Sequence, residues 1–164
     1  MPGRETKETS ILLVDDSPDF LKVASRFLRL LPGLSVAGVA DGGYAALTQA
    51  AALKPDLVLI DLNMDDLSGL EAIPRLRALL PEARIIALTM MEASSHRQAA
   101  LDAGADEFVT KARMETDLLP SIEQVMQSPR TTAEPDLNGL FKSSRPQQQV
   151  SEIKEPDAGA DQQQ

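Results

Sequence analysis

Asp56-Leu-Val-Leu-Ile-Asp-Leu-Asn-Met-Asp-Asp66 is the stretch from which the fold of this chain is read. Leu57 to Ile60 holds no polar residue. A strand buried on both faces reads this way, and parallel sheets bury both faces. The run stops at a carboxylate, Asp61. In open parallel sheets, ligands bind in the crevice beyond the C-terminal strand ends. Aspartates after strands also serve as helix-entry and turn residues, so the neighbouring segments must decide between the two roles.

Upstream, Ile11 to Asp15 is a second buried-type strand that ends in a carboxylate, and Asp16 follows it. Ser17-Pro18 starts a helix, with a hydroxyl at the N-cap and proline at the first helical position. Phe20, Ala24, Phe27 and Leu31 share one face of it, and Pro32-Gly33 ends it. Leu34 to Ala40 is a β-rich segment. Asp41 is placed to cap the next helix, over residues 42–53, and Lys54-Pro55 breaks that helix.

Downstream, Ser68-Gly-Leu-Glu71 is a capping-box pattern. Leu70, Ile73, Leu76 and Leu80 form the apolar face behind it. Pro74 predicts a late helix start or a bend, because an interior proline removes a hydrogen bond. Arg84 to Leu88 is a fourth strand, ending at Thr89. A helix over about residues 95–103 stops at Gly104. Glu107 to Thr110 is a short fifth strand ending at Lys111. The last helix runs over about residues 116–127, with Leu118, Ile122 and Val125 inward and Pro120 delaying its start.

Five βα units imply a parallel sheet covered on both faces. The expected class is α/β, a flavodoxin-like doubly wound sheet of order 2-1-3-4-5. Residues 1–9 read as a disordered leader, 10–127 as the folded domain, and 128–164 as a disordered tail. The composition excludes other classes. There is no cysteine and a single histidine, so disulfides, Cys-ligated zinc and His-rich metal clusters are out. No signal peptide or transmembrane run is found, which predicts a soluble cytoplasmic protein. A net charge of −9 argues against general nucleic-acid binding.

The expected strand order brings Asp15, Asp16 and Asp61 to one sheet edge, with Thr89 and Lys111 ending the next two strands. Three carboxylates together resist ionisation, and a cation offsets that. All-oxygen ligation in a partly hydrated site suits Mg²⁺. A phosphoryl group needs a nucleophile, positive charge for its oxygens and a hydroxyl to bind one of them. Aspartate can be that nucleophile and form an acyl phosphate. The five residues together read as a phosphoryl acceptor.

Val14-Asp-Asp-Ser17, Asp61-Leu-Asn-Met64, Thr89 and Phe108-Val-Thr-Lys111 resemble the receiver domain of two-component response regulators, over about residues 10–127. The resemblance implies that Asp61 takes a phosphoryl group from a histidine kinase or phosphotransfer protein. It implies Mg²⁺ bound by the side chains of Asp16 and Asp61 and the backbone carbonyl of Asn63, with Asp15 holding metal-bound water. Lys111 and Thr89 would bind phosphoryl oxygens. Phe108 would be the aromatic switch that moves with Thr89, reshaping the fourth helix, fifth strand and fifth helix for a downstream protein partner. His96, Arg97 and Glu107 are expected to be exposed there. The chemistry is limited to self-phosphorylation and self-dephosphorylation at Asp61, so the chain is not read as an enzyme, and neither direct DNA binding nor membrane insertion is expected.

The sequence departs from the receiver pattern in places. Asp65-Asp66 adds negative charge beside the site where many receivers have proline. Met90 follows the switch threonine where a small residue is usual, and is placed to screen the site from a bulky donor. Ala112 after the lysine, and Ala-Gly-Ala-Asp at 103–106, resemble receivers that precede a helix-turn-helix domain. No such domain is read in residues 128–164, which predicts a single-domain regulator. That tail is rich in glutamine and proline and poor in apolar residues. Its one apolar cluster, Leu137, Leu140 and Phe141, is weighed as a short docking peptide against a solvated tail.

Two other readings are kept. A phosphate-independent receiver-like binding module is one. A haloacid-dehalogenase-type phosphatase is the other, disfavoured because Asn63 stands where that family wants a second aspartate. His96, Arg75 and Arg77 read as solvated helix residues, and Met90-Met91 as packing at the crevice edge.

Overall fold

The computed structural model describes residues 7–91 and 93–128. Most of the expected leader and all but the first residue of the expected tail, with Leu137, Leu140 and Phe141, lie outside them.

β3 (Leu57–Asp61) is the middle strand, and all of its residues are buried. It pairs in parallel with β1 (Thr9–Val14) on one side and β4 (Arg84–Thr89) on the other. β2 (Leu34–Ala40) and β5 (Glu107–Thr110) are the parallel edges, giving the order β2-β1-β3-β4-β5 that the sequence predicts. Alternation along a strand sends successive side chains to opposite faces. Leu57 and Leu59 therefore meet α1 (Pro18–Arg29) and α5 (Met114–Gln127), through Ala24, Leu28, Leu118 and Ile122. Val58 and Ile60 face α2 (Gly43–Leu53), α3 (Gly69–Leu79) and α4 (Ser94–Ala103), through Ala46, Ile73, Leu76 and Ala100. Each of these four β3 side chains is 0% exposed, and burying one fully stabilises the fold by roughly 1.5–3 kcal/mol. The strand needs no polar residue until it reaches the sheet edge.

Helix starts follow local chemistry in two cases. Ser17 accepts from the Phe20 N–H at 3.3 Å, and Ser68 from the Glu71 N–H at 3.2 Å. Three other expectations are corrected. The N-cap of α2 is Gly42, not Asp41, and it supplies no side-chain bond. Pro74 does not delay α3, which begins at Gly69, directly after its cap. Pro120 does not delay α5, which begins at Met114, behind a 3-10 turn over Lys111–Arg113. Both prolines lie on exposed helix faces, where water can meet the carbonyl that each ring leaves without a donor.

The reading of Arg77 as solvated is also corrected. Its guanidinium donates to the Gly104 carbonyl at 2.7 Å and to Asp106 at 2.9 Å, tying α3 to the turn before β5. Met90 and Met91 are 73% and 57% exposed rather than packed. His96 is half-buried, and its Nδ1 is buried without a partner among the described residues. Arg75 is exposed, as expected. Among the described residues no helix is long and apolar enough to cross a membrane.

Candidate functional site

All five strands are parallel, so their C-terminal ends share one edge of the sheet. Asp15 and Asp16 follow β1, Asp61 and Thr89 close β3 and β4, and Lys111 follows β5. Asp15 and Thr89 are fully buried and Asp61 nearly so, while Asp16 is half-buried. One carboxylate oxygen from each of Asp15, Asp16 and Asp61 lies within 4.8 Å of the others. That span is close to the ~4 Å between opposite ligands of an ion with bonds of about 2.0–2.1 Å. The donors are all oxygen, and the half-buried Asp16 leaves one side open to water. The cluster suits a small, hard divalent cation.

Lys111 is the cation already present. Its Nζ pairs closely with Asp15 Oδ2 and stands 3.6 Å from Asp61 Oδ1. The same Nζ lies 4.1 Å from the centroid of the Phe20 ring. A ring face attracts a cation, so Phe20 helps hold the lysine in place. The sequence shows Phe20 only as part of a helix stripe. Its position in the first turn behind Ser17 is the available signal, because that turn starts at the site.

Asp61 carries the electrostatic cost of the arrangement. Its carboxyl is pushed up to about 6 from an ordinary 3.8. Burial is the main cause; Lys111 opposes it, Asp15 and Asp16 add repulsion, and the Asn63 N–H offsets a part. Asp15 is anchored by the Ser17 N–H at 2.8 Å, and Asp16 accepts from the Asp65 N–H at 3.3 Å.

Thr89 Oγ1 accepts from the Met91 N–H at 3.3 Å, which leaves its own proton for another acceptor. Phe108 pairs in register with Ala87, two residues before Thr89, so its ring lies on the same sheet face as the Thr89 side chain. The ring is 7% exposed and packs in the core with Ala87 and Ala100. On the outer side of β5, Glu107 accepts from the Phe108 N–H and from Arg97, both at 2.9 Å. Glu107 is therefore half-buried and paired, not exposed; Arg97 is exposed, as expected.

The loop between β3 and α3 departs from its sequence reading. Asp65 is exposed, but Asp66 does not load charge onto the acidic cluster. Its carboxylate accepts from the Gly43 N–H at 3.0 Å and the Tyr44 N–H at 3.2 Å, at the start of α2. Those donors, with the Leu67 N–H, hold its carboxyl below the usual range.

Comparison with known proteins gives a consistent set of likenesses. The family profile described as response regulator receiver domain matches residues 11–123. Response regulator protein VraR of Staphylococcus epidermidis is 32% identical over 117 residues, 71% of this chain and 56% of VraR. The nitrate/nitrite response regulator protein NarL of Escherichia coli is 30% identical over 154 residues, 83% of this chain and 71% of NarL. Among solved structures, a LuxR-family two-component response regulator from Aurantimonas sp. SI85-9A1 aligns with TM-score 0.71 at 30% identity. It covers 84% of this chain and 98% of that one. The response regulator domain of Thermotoga maritima CheB aligns with TM-score 0.68 at 29% identity, covering 75% and 99%. The chain thus spans little more than half the length of VraR.

Proposed function

Since the chain belongs to the response regulator receiver domain family, we propose that Asp61 accepts a phosphoryl group from a histidine kinase or phosphotransfer protein. An Asp61 carboxylate oxygen attacks phosphorus. The P–O bond forms as the P–N bond to the donor imidazole breaks, and the imidazole leaves with the electron pair. Lys111 stays beside the acceptor while charge builds on the phosphoryl oxygens, and the Phe20 ring helps keep its ammonium in place. Thr89 donates a hydrogen bond from its hydroxyl to one of those oxygens.

The side chains of Asp15, Asp16 and Asp61 and the backbone carbonyl of Asn63 are the groups that would hold Mg²⁺, with Asp15 acting through water. When bound, the ion would offset carboxylate and phosphoryl charge. Burial of Asp61 excludes water from the nucleophile but favours its protonated form, which cannot attack. The positive charge around it therefore serves to keep it ionised.

For output, Thr89 follows the phosphoryl oxygen and Phe108 moves with it. The ring already sits in the core, so phosphorylation on this reading stabilises the inward position. That bias can come only from a difference in phosphoryl binding between two conformations. The face of α4, β5 and α5 then changes for a downstream protein partner. Residues 10–127 hold ten basic against seventeen acidic residues, a charge that disfavours direct DNA binding by this domain.

The observation that carries the proposal is Lys111 bridging Asp15 and Asp61 inside a three-carboxylate cluster. Intact-mass measurement after incubation with acetyl phosphate and Mg²⁺ tests it. One alkali-labile phosphoryl group is expected. Asp61→Asn should abolish it, and Lys111→Ala should slow it about 100-fold, the scale on which one transition-state charge donor acts. A wild-type chain unmodified by both acetyl phosphate and phosphoramidate would leave a phosphate-independent binding module in its place.

A further inference from the structure

The loop from Leu62 to Ser68 joins β3 to α3 and carries Asn63 and Asp65 past the acidic cluster. At its start, the Leu62 N–H donates to the Leu88 carbonyl at 3.2 Å. At its end, the Gly69 N–H donates to the Leu62 carbonyl at 2.9 Å. Between these ties, Asp65 donates its N–H to Asp16. Asp66 then reaches out of the loop to Gly43 and Tyr44, in the first turn of a different helix.

The place it reaches is built to receive it. The first N–H groups of a helix have no partner inside the helix. The N-cap of α2 is a glycine, without a side chain to serve them, and a carboxylate at a helix N-terminus also meets the positive end of the dipole. A Cβ on Gly42 would stand 2.7 Å from Asp66 Oδ2, and one on Gly43 would stand 2.6 Å from Leu67 Cβ. Two consecutive glycines let the loop come this close. Backbone strain is not the reason for Gly42, whose φ of −175° any residue adopts.

We propose that Asp66 is a positioning residue for the phosphoryl-accepting site: it latches the loop carrying Asn63 and Asp65 to the start of α2. Residues 63–65 are then held at both ends, by Asp61 and by Asp66. Without the latch, this stretch keeps the Asn63 N–H bond to Asp61, the long Asp65–Asp16 bond and the buried Met64 side chain, but loses the tie that fixes its C-terminal end, so the Asn63 carbonyl is held less firmly at the cluster. The proposal rests on the phosphoryl-acceptor reading above.

A plain helix cap would give much the same stability loss, so the test separates the two roles. Asp66→Ala removes cap and latch together. The double variant Asp66→Ala/Gly42→Ser gives α2 its own N-cap, in space that the absent carboxylate has vacated, and restores no tie to the loop. Two readouts are taken: melting temperature, and the rate of Asp61 labelling by phosphoramidate across Mg²⁺ concentrations. Asp66→Ala is expected to need about tenfold more Mg²⁺ for half-maximal labelling, as loss of a group that orients metal ligands does. The double variant should recover melting temperature and keep the weakened Mg²⁺ dependence. Recovery of both, or an unchanged Mg²⁺ dependence in Asp66→Ala, would overturn the proposal. A wild-type chain that is never labelled and gains no melting temperature from Mg²⁺ would instead remove the acceptor reading, and this proposal with it.

Discussion

The two ends of the sheet treat aspartate in opposite ways. At the C-terminal end, Asp15, Asp16 and Asp61 crowd together around one lysine, and the Asp61 carboxyl rises to about 6. At the N-terminal end, two aspartates are matched to their donors. Asp56 accepts from the Ser10 N–H and hydroxyl, both at 3.0 Å, with Lys7 at 3.6 Å. Asp106 accepts from the Ile85 N–H at 2.8 Å and from Arg77. Burial pushes the Asp56 carboxyl up, but the Ser10 donors and Lys7 outweigh it and leave it below the ordinary value. Asp56 and Asp61 thus shift in opposite directions at opposite ends of one strand segment: one end is satisfied and the other is left wanting positive charge. A satisfied end holds the fold together. An end short of positive charge favours whatever brings it, which is how a site binds a cation and an anionic group in turn.

The comparison breaks most visibly at Asp106. Asp106→Ala leaves the Ile85 N–H and the Arg77 guanidinium without this acceptor. The pair is half-buried, with side chains 18% and 23% exposed, and losing its two bonds to a carboxylate costs about 2–4 kcal/mol. Urea unfolding should show a loss of that size, and Asp61 in the surviving folded fraction should still label. A loss below about 1 kcal/mol would mean that the N-terminal end is not a structural anchor at all.

The separate legibility of the two ends has a physical cause. Each strand announces itself locally, as an apolar run followed by a polar residue. For that reason the sequence alone puts Asp15, Asp61, Thr89 and Lys111 at strand ends, whereas the strand order is the flavodoxin-like one chosen among those that right-handed crossovers allow. The partners of Asp66 lie 22 and 23 residues away and those of Asp106 21 and 29, and no periodicity links them. Asp41 stands next to Gly42 and reads as the better cap, yet a residue from another loop takes that place. Arg77 shows the same limit: helix spacing marks a polar face, not whether another segment covers it. Pro74 and Pro120 read as obstacles because sequence does not say which helix face meets water.

The next effect is pH-dependent and belongs to the strained end. In the metal-free protein, folded Asp61 binds its proton up to about pH 6, and the unfolded chain loses it near 3.8. The folded state therefore holds more protons between these values. The contribution of Asp61 to stability is full below about pH 4 and is lost as pH rises through 6. At 1.36 kcal/mol per unit, this amounts to about 2–3 kcal/mol. The difference between wild type and Asp61→Asn isolates it from other titrating groups. Asp61→Asn should be the more stable by that amount at pH 7.5 without metal, with the gap closing toward pH 4.5. A gap that does not change with pH would mean that Asp61 is ionised at little cost.

The smallest expected effect is the most direct comparison, because it makes the same change at the other end. Asp56→Asn keeps an acceptor oxygen for both Ser10 donors and loses only the charge. Lys7 is 85% exposed at its side chain, and an ion pair with so exposed a partner contributes little. What remains is the weakening of two charge-assisted bonds to neutral ones, about 0.5–1 kcal/mol in all. The sign is opposite to that at Asp61. A carboxyl with a lowered folded value contributes stability above about pH 4 and loses it as pH falls through the folded value. Asp56→Asn should therefore destabilise at pH 7.5 and approach wild type below pH 4, whereas Asp61→Asn should stabilise at pH 7.5 and approach wild type at the same acidic limit. Paired urea titrations of the two variants would show curves that diverge with rising pH. If both substitutions stabilise at pH 7.5, the self-repulsion of an acidic chain governs both ends alike, and the contrast between a satisfied edge and a strained one fails.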